Sequence, residues 1–167
     1  ILFLFLQLLF AIYLVYYILA FLSGAPFVPT TNATAERMIK LARIKRGMKV
    51  YDLGSGDGKL LFRIAHGGAD AYGIEINPIL CLYTYIKSFF VHYSGSVHVF
   101  WRNFWSIPLG DADAVFVYLL PLRMEKLERK LLKELKPGTR VISNSFLFPH
   151  MAMVDQDAIH HVYVYTI

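Results

Sequence analysis

Val50-Tyr51-Asp52-Leu53-Gly54-Ser55-Gly56-Asp57-Gly58, followed downstream by Gly73-Ile74-Glu75-Ile76-Asn77-Pro78, decides how this chain folds. An apolar strand runs into an acidic residue and then a turn with glycine at every second position, and a second strand ends in a carboxylate. That order is the one a nucleoside-binding α/β crevice requires. The turn is not G-x-G-x-x-G, in which a helix N-terminus faces a pyrophosphate. It reads D-x-G-x-G-x-G. A carboxylate at the strand tip repels a diphosphate and pairs with an ammonium, which favours S-adenosyl-L-methionine over a dinucleotide. Glu75 suits two ribose hydroxyls, because an ionised carboxylate accepts from both. The glycine turn taken alone also fits a tight left-handed bend without a ligand.

At these residues the chain resembles the class I, seven-β-strand S-adenosylmethionine-dependent methyltransferases. Pro26-Phe27-Val28-Pro29-Thr30 lies upstream of DLGSGDG, GIEINP follows, and a hydrophobic segment precedes both. That combination is similar to the membrane-anchored protein-lysine methyltransferases that include the ATP synthase c-subunit and adenine nucleotide translocase enzymes. The resemblance runs from about Ala25 to Pro149. It implies cofactor contacts at Thr30, Asp52, Gly54, Ser55, Gly56, Gly58, Glu75, Ile76, Asn103, Phe104 and Leu119. Related enzymes carry an Asp where Asn103 stands, accepting from the adenine amino group; an amide oxygen can also accept. Phe27 would fold over the cofactor with its neighbours, or belong to a stiff proline linker. Tyr118 would steer the nucleophile, or serve as a core aromatic. Tyr118-Leu119-Leu120-Pro121 replaces the (D/N)PP(Y/F) type of amino-methyltransferases and matches prokaryotic relatives of the anchored family.

Among its 167 residues, 56% are hydrophobic and 17% charged, enough for one domain and too apolar for an ordinary soluble one. Ile1 to Leu22 holds no charged residue and reads as a transmembrane helix, 1–22. A signal-peptide core competes through Ser23-Gly24-Ala25, but Pro26 hinders cleavage there. A buried core helix competes less well, because the segment is apolar on every side. Residues 23–34 form a linker and pre-motif, and 35–167 the S-adenosylmethionine-binding domain. Arg37, Lys40, Arg43, Lys45 and Arg46 follow the span, which puts the domain on the cytoplasmic or mitochondrial matrix side. The net charge of +5 points to membrane lipid as partner. Nucleic acid is disfavoured by the lack of a recognised binding motif or long basic run. Cys81 is the single cysteine and fits a reducing compartment.

Periodicity predicts helices over Thr34–Arg43, Lys59–Ala65, from Pro78 toward His92, and Leu122–Leu135. Strands are predicted over Lys49–Leu53, Ala71–Ile76, Val97–Trp101, Ala114–Leu120 and Arg140–Ser145, with His161–Ile167 as a closing edge strand. The fold class is α/β: a doubly wound, mostly parallel Rossmann-like methyltransferase sheet preceded by one transmembrane helix. A full seventh strand requires a very brief sixth, because the tail after Phe148 is short. His160-His161 as neighbours on a strand would point to opposite faces and do not make a metal site.

The reading is therefore a membrane-anchored S-adenosylmethionine-dependent methyltransferase. Its substrate is expected to be a membrane-associated protein, with lysine as the acceptor the resemblance implies. A small-molecule or lipid methyltransferase and a non-catalytic nucleoside-binding module remain as alternatives.

Overall fold

The computed structural model describes residues 1–23 and 27–167. Gly24, Ala25 and Pro26 lie outside the described residues, as do the side chains at 16 and 19–23. Seven strands form one sheet: β1 (Lys49–Leu53), β2 (Asp70–Glu75), β3 (Ser96–Trp101), β4 (Ala114–Val117), β5 (Arg140–Asn144), β6 (Met153–Asp157) and β7 (Val162–Thr166). Their order is β3-β2-β1-β4-β5-β7-β6, with β1 to β5 parallel and β7 antiparallel to both β5 and β6. This is the Rossmann-like methyltransferase arrangement, and its order reverses beside β1, where ligands sit in open α/β sheets.

Alternation along the strands divides the core in two. Val50, Ala71, Phe116 and Ile142 face α2 (Asn32–Ala42) and α3 (Lys59–His66). Leu53, Ile74, Val115 and Val141 face the other way, with Leu127 and Leu131 of α5 (Pro121–Glu134) in the same cluster. β4 is buried at all four positions, as a central parallel strand must be. Each fully buried Leu or Phe contributes about 1.5–3 kcal/mol relative to exposure.

Several boundaries differ from the predicted ones. β4 stops at Val117, because Tyr118 to Leu120 leave the sheet and Leu120 is extended ahead of Pro121 at the start of α5. α4 (Pro78–Ser88) ends before His92, and Phe89 and Phe90 close its last turn through N–H bonds to Ile86 and Lys87. The last strand is not an edge. β7 is sandwiched between β5 and β6, and the five-residue β6, irregular between Met153 and Asp155, takes the edge. His160 and His161 sit in the β6–β7 turn, not on a strand, with His161 at φ 52°. His160 is consumed there: its N–H donates to Asp157 at 3.0 Å and its ring Nδ1 lies 3.1 Å from the same oxygen. Arg37 of α2 pairs with the other oxygen of Asp157, pinning the closing hairpin to the helix layer.

α1 (Leu2–Ser23) is helical over 22 residues, and its described side chains are exposed. Over the described residues, however, no helix is long and apolar enough to cross a membrane. The predicted transmembrane element is thus present as a helix but not established as a span.

Candidate functional site: a cleft at the tip of β1

The sheet's reversal point leaves a cleft lined by residues from several segments. Asp52 comes from β1, Gly54, Ser55 and Gly56 from the turn after it, Glu75 from β2, and Val117 and Tyr118 from the end of β4. Phe27 to Thr30 close one side.

The turn is built by its glycines. Gly54, Gly56 and Gly58 all have positive φ, at 88°, 55° and 75°. Gly58 leads directly into α3 and is pressed against Thr84 of α4, so a side chain there would collide. The first N–H groups of the turn, on Gly54 and Ser55, donate to the Ile74 carbonyl, which ties the bend to β2. Glu75 completes the arrangement: its Oε2 accepts from Gly56 N–H at 2.8 Å and its Oε1 from Asn77 N–H at 2.7 Å. Each oxygen retains a lone pair for a ligand.

Asp52 is different. It is 5% exposed, and its carboxylate forms no hydrogen bond or ion pair within the described residues. Burial, then the neighbouring charges of Glu75 and Asp57, push its pKa up to about 7. Burial also raises Glu75 despite its backbone donors. A buried carboxylate with no partner costs free energy that a bound cation recovers. The donor set fits the α-ammonium of S-adenosylmethionine and opposes a diphosphate. Lys59 lines the same cleft, but its Nζ is held by the Thr30 carbonyl at 2.5 Å. Ser55 Oγ is buried and unpaired among the described residues.

The ring of Phe27 lies on the turn. A methyl group on Gly56 would sit 2.8 Å from Phe27 Cε2. Thr30 is tied at the foot of this segment by Asn144, whose amide approaches Thr30 Oγ1 at 3.5 Å. Next to the cleft, Val28, Tyr118, Leu119, Leu120 and Phe146 line an apolar slot, with the Tyr118 and Phe146 rings 6.3 Å apart.

Not every nominated residue joins the cleft lining. Asn103 caps a single 3-10 turn, Phe104–Ser106, its Oδ1 accepting from Trp105 N–H at 3.1 Å. That oxygen accepts one backbone bond and retains a second lone pair. Phe104 is buried in the α5-side core, and the Ile76 carbonyl accepts from the Trp101 indole at 3.0 Å. Gly58 shapes the turn from behind, and Leu119 belongs to the apolar slot. Val28, Pro29 and Asp57, quoted with the pre-motif and the glycine turn, also line the cleft, and Met38, Lys59, Leu60 and Val117 line it without having been singled out. Of these last four, only Lys59 is marked in the sequence, by its proximity to the glycine turn. Among the described residues no cluster of metal-ligating side chains occurs.

Known proteins share this architecture. Residues 52–155 match the ANTKMT methyltransferase domain. The chain is 36% identical over 125 residues to the ATP synthase c-subunit lysine N-methyltransferase of Rattus norvegicus, covering 75% of this chain and 57% of that protein. It thus spans little more than half the length of that relative. A protein-lysine N-methyltransferase of Saccharolobus islandicus is 31% identical over 157 residues, with 89% of this chain and 98% of that protein covered. Among solved structures, an RNA methyltransferase of Salinibacter ruber in complex with S-adenosyl-L-homocysteine superposes with a TM-score of 0.77 at 34% identity, over 84% of this chain and 94% of that one. The glycine turn, the carboxylates of Asp52 and Glu75 and these likenesses converge: the chain belongs to the ANTKMT methyltransferase domain family, within the class I S-adenosylmethionine-dependent methyltransferases.

Proposed function

We propose that this protein is a membrane-attached methyltransferase that transfers a methyl group from S-adenosyl-L-methionine to a lysine of a membrane-associated protein. The observation that carries the reading is Asp52, a buried carboxylate without a partner among the described residues, lining the cleft at the glycine turn with Glu75. Lysine as acceptor is supported by the names of the relatives from rat and Saccharolobus.

Bound S-adenosyl-L-methionine supplies a methyl group already activated on a sulfonium, so the protein need only bind, orient and exclude water. Asp52 takes the α-ammonium. Glu75 accepts the ribose hydroxyls with its free lone pairs while holding the turn through Gly56. Gly54, Ser55 and Gly56 present backbone along the ligand, and Gly58 turns the chain into α3. Phe27 and Thr30 cover the site and keep water out. Asn103 and Phe104 frame the adenine end through the backbone around the capped turn, together with Ile76. Tyr118 and Leu119, with Phe146, receive the apolar stem of the lysine, a low-dielectric slot that lowers the amine pKa and favours the neutral nucleophile. Once bound, the cofactor would supply its methyl group to the amine nitrogen, which the slot of Tyr118, Leu119 and Phe146 would hold neutral and in line.

Membrane attachment rests on the sequence from Ile1 to Leu22, which carries no charged residue. The basic residues from Arg37 to Arg46 support a cytoplasmic or matrix-facing domain. This divides the chain into an anchor over 1–22, a linker and pre-motif over 23–34, and the methyltransferase domain over 35–167.

The deciding experiment incubates membranes from cells with and without the gene with methyl-labelled S-adenosyl-L-methionine and the full chain. Label must appear in protein as methyl-lysine and vanish with Asp52→Ala. Label in RNA, the substrate class in the Salinibacter ruber protein's name, or in lipid or small molecules, would overturn the lysine assignment. Binding without transfer to any fraction would leave a nucleoside-binding module.

A further inference from the structure

Amphipathic helices bury their apolar stripe and expose their polar one. α4 does the reverse. Its residues turned to the domain are Cys81 and Thr84, small and partly polar, while Ile79, Leu82, Tyr83 and Ile86 form an exposed stripe at three- and four-residue spacing. Phe89 and Phe90 extend it beyond the helix end at 68% and 78% exposure. Beside it on the edge strand β3, the Trp101 ring is exposed while its indole N–H is fixed on the Ile76 carbonyl. Apolar surface of this extent marks an interaction site.

Charge selects the partner. From Asn77 to Gly110 the sequence contains no Asp or Glu, yet it carries Lys87 and Arg102 and nine aromatic residues. Lys87 stands at the rim of the stripe, its Nζ 5.1 Å from the Phe62 ring and 5.4 Å from the Tyr83 ring. Aromatic side chains flanked by cations, with no anion among them, match an anionic lipid interface: rings enter the headgroup region and lysine and arginine meet phosphate. A partner protein or a second copy would not require the exclusion of acidic residues from a whole segment.

We propose that the exposed face of α4, continued by Phe89, Phe90 and Trp101, is an interfacial membrane-docking surface that seats the domain on anionic lipid. It is separate from α1 and adds to the anchoring reading given above. Its position bears on the site, because Thr84 on the opposite side of α4 donates to the Gly56 carbonyl at 3.0 Å and packs against Gly58. The helix lying on lipid is thus the one that backs the glycine turn, which brings the cleft close to the plane where a membrane-embedded acceptor presents its side chain.

The test uses the full chain in vesicles of phosphatidylcholine and phosphatidylglycerol at three to one. With Cys81→Ser, a polarity-sensitive fluorophore is attached through Phe90→Cys or, as control on the exposed start of α5, through Leu122→Cys. The label at 90 shifts to the blue and is quenched at least twofold more by lipids spin-labelled near the headgroup than the label at 122. Should either variant fold poorly, the native Trp101 emission in Trp105→Phe, quenched by brominated lipid, gives the same readout. Carbonate extraction reads α1 independently. Quenching at 90 in protein that carbonate strips off keeps this proposal and removes the anchor; carbonate resistance without quenching at 90 does the opposite. Burial of the label without lipid, growing with protein concentration, would show a second copy on this face and overturn the proposal.

Discussion

Glu75 Oε2 receives the Gly56 N–H at 2.8 Å, so the carboxylate that faces the cleft from β2 also fixes the glycine turn that follows β1. The two parts of the sequence motif are one physical unit. Glu75→Gln keeps the size of the side chain but supplies one acceptor oxygen for two backbone donors. A hydrogen bond to a charged group is worth about 1.5–3 kcal/mol, so S-adenosylmethionine affinity of the full chain in detergent falls roughly 10- to 100-fold by calorimetry. A loss below threefold would show that Glu75 serves the ligand little.

Asp52 makes cofactor affinity depend on pH. Its pKa in the ligand-free fold is about 7, and an ammonium partner selects the ionised form. Affinity therefore rises with pH from about 6 and turns down above about pH 8, where an α-amino group of ordinary pKa loses its own charge, with close to one proton released per ligand bound at pH 6. Titration in buffers of different ionisation enthalpy reads that proton directly.

The same residue trades stability for binding. Because the folded-state pKa lies above that of the unfolded chain, the fold holds the proton more tightly. The contribution is complete below about pH 4 and is lost as pH rises through 7. Asp52→Asn consequently raises the melting temperature of the ligand-free protein at pH 8, with the gain vanishing toward pH 4, while cofactor binding is lost. A variant less stable at pH 8 would contradict this.

Gly56 tests the contact with Phe27. Gly56→Ala forces a side chain into positive φ, at about 1–2 kcal/mol, and drives it against the ring. Thermal melting falls by several degrees. Combining it with Phe27→Ala restores part of the loss, since the collision is removed and the backbone strain is not.

Asp157 works in the opposite pH sense to Asp52. The N–H and ring of His160, and then Arg37, hold its carboxyl well below the usual carboxylate range. The stabilisation is present above the unfolded carboxylate pKa and disappears in strong acid. Asp157→Asn lowers the melting temperature at pH 7, and scans at falling pH show the difference from wild type shrinking below pH 4.

Much of this was legible in the sequence because two short-range rules operate there. Glycines at 54, 56 and 58 fix positive φ values, and near-continuous apolar runs fix buried parallel strands. Both rules act within a few residues. β6 escaped because Met153-Val154-Asp155-Gln156-Asp157 is an edge strand whose pairing is set by β7, and its polar residues carry no strand period. His160 and His161 leave the strand for the same reason: Asp157, not strand propensity, organises their turn. At the site, Asp52 and Glu75 stand out by type and spacing. The capping role of Asn103 does not, since an amide that caps a turn and one that awaits a ligand look alike in a sequence. Cys81 lies buried in α4.

Phe27 to Thr30 join the N-terminal helix to the domain along the rim of the cleft, and Thr30 is moored by Lys59 and Asn144. Thr31, the next residue, caps α2 through its side chain. One short stretch therefore walls the cleft and founds the helix layer, so a change in its length would disturb both at once.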